Sequence, residues 1–263
     1  MSETTDARPI PVLDDAQKSR LAARLKMMNR NRGDSGQILE ATRRALALEV
    51  DSDNGAARLE ALADALAHDR VIVPIAVEED PRATGGHAGF DGDGQTPTDF
   101  VRVDCLAGKA IAVFSSADQL RAFDALARPT ALAFRSVALA ALVETGGRVV
   151  MDPAGSNVVI PRPVVAALAQ GDTWLPAWKD QELAEELKVL AQVSHNGTSP
   201  IVDVQLTCGA VGNVTVTLFV NANADQRGLK KSLMEAVSAI GDSQRLQVSA
   251  DRIEIVPRWV SVA

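Results

Sequence analysis

The chain has 263 residues, 46% of them hydrophobic and 23% charged, with a formal net charge of −7. Such a composition is globular rather than disordered, and the length suffices for two domains that each bury a core. The acidic balance argues against general nucleic-acid binding, which needs a basic face.

Residues 1–34 read as a separate arm. Met1–Asp15 is polar and acidic, without the apolar stretch of a secretory leader, so a cytoplasmic location is expected. Lys18, Arg20, Arg24, Lys26, Arg30 and Arg32 then make the arm locally basic, while Leu21, Leu25 and Met28 form one helical stripe. A loosely docked surface helix is expected there, with a partner-binding helix as the sharper alternative.

Residues 35–178 read as an α/β domain with a mixed sheet and flanking helices. Helical periodicity covers Ser35–Glu49 and Gly55–His68, the second capped by the tract Asp51–Asn54. Arg70–Val77 is a buried strand in which Pro74 marks an edge or a bend. Glu78–Asp99, rich in Gly and Asp, reads as a surface loop. The alternation in Phe100–Cys105 predicts a half-buried strand, joined through Leu106–Gly108 to a second strand over Lys109–Phe114. Ser116 is placed to cap a helix containing Leu120, Phe123 and Leu126. A short buried helix over Ser136–Glu144 follows; the apolar run Ala131–Val143 is too short to span a membrane and is broken by Arg135 and Ser136. Strands over Arg148–Met151 and Asn157–Ile160 precede a helix over Arg162–Ala169, and Trp174–Trp178 reads as a strap between domains.

Residues 179–263 read as a smaller α+β domain with one wet sheet face. A helix over Lys179–Gln192 leads into alternating strands over Ile201–Cys208 and Asn213–Val220, joined as a hairpin through Gly209–Gly212. Leu229, Leu233, Val237 and Ile240 give an amphipathic helix over Asp225–Ile240, ended by Gly241. Arg245–Val248 and Arg252–Val256 read as closing strands.

No nucleophile–base pair, phosphate loop or metal cluster is recognisable, so no catalytic residue, metal site or cofactor is assigned. Two strand-to-turn corners carry the remaining polar candidates. Ser115 and Ser116 could offer an anion the amides at a helix start, and Asp152 could supply a carboxylate at a neighbouring strand end. A helix cap and an Asx turn account for the same residues without a ligand. The loop residues Asp91 and Asp93 have part of the spacing of a calcium loop but lack its later ligands. Cys105 and Cys208 fall on the inward faces of strands, where thiols pack as small hydrophobes.

The order of elements from Arg70 to Trp174 resembles the SseB family, best over Leu59–Trp178. The most specific pieces are Val113-Phe114-Ser115-Ser116 followed by Leu120, and the corner Met151-Asp152-Pro153-Ala154-Gly155. Many relatives carry Asn-Pro where this chain has Asp152-Pro153. The family takes its name from enhanced serine sensitivity and is associated with enhancement of sulfurtransferase activity. The resemblance implies a bacterial, cytoplasmic, non-enzymatic accessory protein that works through a protein partner, with a sulfurtransferase-related partner and a homo-oligomer both compatible. Partner contacts are expected at Phe114 and Phe123, at Trp174 and Trp178, or along the arm. A regulatory module binding a small anionic metabolite such as an amino acid, at Ser115, Ser116 and Asp152, is the alternative. Sulfur chemistry at Cys105 is a third reading.

Overall fold

The computed structural model describes residues 34–75, 100–106, 108–192, 199–224 and 228–261. The basic arm before Asp34, the Gly/Asp-rich loop before Phe100, and His87 and His195 lie outside the described residues. The chain is of mixed α and β type, with mixed sheets flanked by helices.

Helices α1 (Glu40–Leu46) and α2 (Ala56–Leu66) open the first half. The acidic tract before α2 does cap it, but through one residue: Asp53 accepts from the amides of Gly55 and Ala57, each at 2.9 Å. Leu59, Leu62 and Leu66 then turn inward. Strand β1 (Arg70–Ile75) pairs antiparallel with β4 (Arg128–Ala133), a strand not foreseen in the sequence. Pro74 faces Pro129 in that two-stranded ribbon, where neither needs an interior ladder donor. The main sheet has the order β2 (Arg102–Cys105), β3 (Gly108–Val113), β5 (Val149–Met151), β6 (Val158–Ile160); only the central pair β3–β5 is parallel. All three residues of β5 are buried, as the middle of a sheet covered on both faces requires. Helix α3 (Ala117–Phe123) follows β3, and α4 (Phe134–Glu144) and α5 (Arg162–Gln170) pack together over the core. That core runs from Ala45 to Ala169 and is built mainly of Leu, Val, Ile and Ala around Phe134.

A second core runs from Ala177 to Ala250. Helix α6 (Gln181–Gln192) starts at Asp180, which accepts from the Leu183 amide at 3.0 Å. Strands β7 (Ile201–Cys208) and β8 (Val214–Asn221) form the expected antiparallel hairpin, and β8 alternates buried and half-buried along its length. Helix α7 (Leu229–Gly241) keeps Gly241 inside its last turn, with Asp242 as the cap, so Gly241 is not the terminator expected of it. The stretch expected as a strand over Arg245–Val248 is a helix, α8 (Gln244–Ser249). Ser243 starts it by accepting from the Leu246 amide at 3.2 Å, and only Leu246 of its residues is buried. A single anchored side chain is too sparse a pattern for a strand that must cover a sheet face. Strand β9 (Ile253–Val260) closes the sheet parallel to β8, in the order β7-β8-β9.

The two cores share a polar seam. Arg148, at the start of β5, donates to both oxygens of Asp251 at 2.7 and 2.9 Å. Arg162 donates to the carbonyls of Gln247 and Ala250, Arg252 to that of Leu106, and the Asn54 amide to that of Cys208. Trp178 packs against both cores, and its indole N–H donates to Glu60 at 2.8 Å. Trp178 thus bridges the two cores, while Trp174 packs on the first alone.

Candidate functional site

The parallel pairing of Val113 with Met151 makes the two conspicuous corners emerge side by side. Asp152 turns with φ +50°, a left-handed conformation that Asp and Asn tolerate better than most residues. Its amide donates to Val113 at 2.9 Å, and its carbonyl accepts from Gly155 and Asn157, closing the turn. The carboxylate reaches across: Oδ1 accepts from the Ser115 amide at 2.8 Å and Oδ2 from the Ser115 hydroxyl at 2.7 Å. Asp152 is only 2% exposed and Ser115 only 3%. Burial pushes the Asp152 carboxyl above the usual carboxylate range, while the bonds from Ser115 pull it part of the way back.

Ser115 and Asp152 thus converge, but on each other rather than on a shared opening. Ser116 does not join them. Its hydroxyl caps α3 by accepting from the Gln119 amide at 3.2 Å, and the next amide, Ala117, donates to Gly36 at 2.7 Å. The amides of Ser115, Ala117 and Gln119 are thus engaged by the chain itself. Residues 34–37 lie across this corner. The buried Arg70 guanidinium donates to Asp34 Oδ1 at 2.8 Å, to the Gln37 carbonyl, and to the Ser115 carbonyl at 3.4 Å. Hydrogen bonding to Arg70 holds the Asp34 carboxyl below its ordinary value. Gly36, at φ +74°, makes the approach close: a Cβ there would stand 2.8 Å from that of Ala117. The corner is a structural clasp, with Ser115 and Asp152 bonded to each other and Ser116 spent on the helix cap.

The aromatic expectations divide as well. Phe114 is fully buried between β1, to which it is bridged at Ile72, and α3, so it offers no docking surface. Phe123 packs on it with ring centroids 5.4 Å apart and stays partly exposed. Trp174 and Trp178 meet edge to face with ring centroids 5.6 Å apart, beside the seam between the two cores. Cys208 is buried, and desolvation, with Asp53 and Glu60 nearby, pushes its thiol up to about 11. Cys105 is only half-buried, because β2 is an edge strand, and its thiol donates to the Gly108 carbonyl at 3.1 Å. Among the described residues, no three His, Cys, Asp or Glu side chains group closely enough to hold a metal ion. Nor is any helix among them long and apolar enough to cross a membrane.

An open apolar concavity lies elsewhere, between α7 and the end of β9. A groove of about 510 Å³ is lined by Leu229, Leu233, Met234, Val237 and Trp259, with Lys230 and Ser238 at its margin. A second depression of about 570 Å³ runs along the other flank of α7, and Met234 stands as a ridge between them. Met234 is 63% exposed and Trp259 54%. Sequence reasoning missed this face for two reasons. Met234 lies beside the Leu229–Leu233–Val237–Ile240 stripe rather than on it, and Trp259 lies beyond the strand expected to end at Val256. The available signal was a Trp two residues after Pro257, in a chain with only three tryptophans.

Residues 43–167 match the family model of the SseB protein N-terminal domain. No curated protein and no solved structure matches the chain. The matched span begins in α1 and ends in α5, and it contains both corners of the Ser115–Asp152 clasp. Over residues 43–167 the chain carries the N-terminal domain of the SseB family.

Proposed function

We propose that the chain is a non-enzymatic accessory protein of the SseB type, acting by protein–protein contact through the face formed by α7 and β9. The observation that supports this reading most is the open groove holding Leu233, Met234, Val237 and Trp259. Isolated exposed apolar residues are ordinary, whereas a contiguous set with a Trp and a Met at its centre has the composition of interface anchors. The polar corner that a catalytic or ligand-binding reading would use is closed by its own hydrogen bonds. A cytoplasmic setting and a sulfurtransferase-related partner belong to the same proposal, on the strength of family membership.

The test is affinity purification of the full chain from cells, comparing wild type with the double variant Met234→Glu, Trp259→Ala. Wild type is expected to retain a polypeptide in near-stoichiometric amount, a second, differently tagged copy being counted as one. The variant should lose it while keeping its circular dichroism spectrum. Identical recovery from both proteins, with no difference in oligomeric state, overturns the reading.

A further inference from the structure

Helix α7 carries its charges the wrong way round for its own dipole. Anionic side chains are favoured at a helix N-terminus and cationic ones at its C-terminus. Here Lys230 and Lys231 occupy the first turn, no acidic residue does, the last turn has no basic residue, and Asp242 caps the C-terminal end. Among the described residues, Lys231 reaches only Glu235, at 3.8 Å, in a largely exposed pair, and Asp242 makes no ion pair. Between these ends the exposed face presents Met234, Val237 and Ser238. An arrangement that is unfavourable within one helix becomes complementary when two copies of it lie antiparallel.

We propose that the groove face takes a second copy of this chain, with α7 packed antiparallel against the partner's α7 around a two-fold axis. This rests on the reading of that face as a polypeptide-binding surface, and it names the polypeptide. A two-fold axis passing beside α7 between Ala236 and Val237 lies 5.5 residues from Lys231 and 5.5 from Asp242, about 8 Å along the helix in each direction. Lys231 then stands opposite the partner's Asp242, and the reverse contact follows by symmetry. The Met234 ridges enter the facing grooves, and each Trp259 flanks the contact, which gives an apolar centre with a charged rim.

Strand addition is the other way an open sheet edge recruits a copy, and β9 is blunted against it. The carbonyls of Arg252 and Val260 face β8, accepting from Val214 and Ala222. With a period of two, Pro257 falls in the outward-facing set and leaves the free edge without a donor in mid-strand. Helix-to-helix docking is the mode that remains for this face. An acidic amphipathic helix from another protein would also meet Lys230 and Lys231, but it would leave Asp242 without a role.

The experiment is sedimentation velocity on the full chain across a concentration series, with Lys231→Glu and Asp242→Lys measured separately and as an equimolar mixture. Wild type is expected to dimerise. Each variant alone should dimerise about ten-fold more weakly, since both of its symmetric contacts become like-charged. The mixture should recover wild-type association as a heterodimer, in which both contacts are again of opposite charge. Asp242→Lys improves the match to the helix dipole, and Lys231→Glu does the same while giving up the exposed pair with Glu235, so melting temperatures should stay close to wild type, which separates lost association from lost folding. A monomer at every concentration overturns the second-copy assignment. If that monomer still retains a different polypeptide through Met234 and Trp259, the broader reading of the face survives. Equal weakening of the mixture and the single variants overturns the antiparallel register.

Discussion

Replacing Asp152 separates the two things this residue does. Its side chain satisfies the buried amide and hydroxyl of Ser115, and its backbone holds φ at +50°. Asp152→Ala removes both at once. Leaving the Ser115 donors without an acceptor costs about 1–3 kcal/mol, and a left-handed alanine adds about 1–2 kcal/mol, for a total of about 2–5 kcal/mol. Asp152→Gly keeps the conformation accessible but loses the acceptors, so it should fall between alanine and wild type. Asp152→Asn keeps an acceptor for the Ser115 amide, while its NH₂ group donates to a rotated Ser115 hydroxyl, and no charge is buried. Its stability should lie within about 1 kcal/mol of wild type at neutral pH. Because burial raises the Asp152 pKa, its contribution is fully present below the ordinary carboxylate pKa and is lost as pH rises through the folded value. Asn should abolish that dependence. Urea unfolding followed by circular dichroism at several pH values reads all three variants. If Asn destabilises as much as Ala, the carboxylate charge itself holds the corner and the clasp reasoning is wrong.

Asp34 should show the opposite pH sign. Its pKa is lowered by Arg70, so its contribution is present above the ordinary carboxylate pKa and is lost as pH falls through the folded value. Asp34→Asn should cost about 1–3 kcal/mol at neutral pH and flatten the acid limb of the stability profile; an unchanged acid limb would refute the assignment. Asp251→Ala removes the acceptor of both Arg148 bonds in the seam between the two cores. The expected result is a loss of about 1–3 kcal/mol and calorimetric unfolding that splits into two transitions, whereas a single unshifted transition would show that the seam couples nothing.

Elements with a repeated apolar period were legible in the sequence, and those defined by one anchor were not. The β7–β8 hairpin announced itself because alternation ran through both strands, and α2 through Leu59, Leu62 and Leu66. Strand β4 went unseen because its residues are half-buried or exposed on a two-stranded ribbon, which leaves no alternation to read. Helix α8 was mistaken for a strand because only Leu246 of its residues faces inward. At the Ser115–Asp152 corner the residue types and their proximity could be anticipated. What the sequence did not display was that Arg70, Asp34 and Gly36, distant in the chain, close over it. The groove escaped because its lining comes from two separate elements, α7 and the end of β9, with Trp259 placed beside Met234 by the parallel β8–β9 pairing.

Whether the face around Met234 binds a polypeptide can be read by placing a photo-cross-linking residue at position 234 of the full chain in living cells, with the exposed Lys109, which lies away from α7, as a comparison site. A discrete cross-linked species is expected from position 234, at twice the chain mass by the second-copy proposal, and none from position 109. Absence of a species at 234, or the same diffuse products from both positions, would show that the face binds no polypeptide.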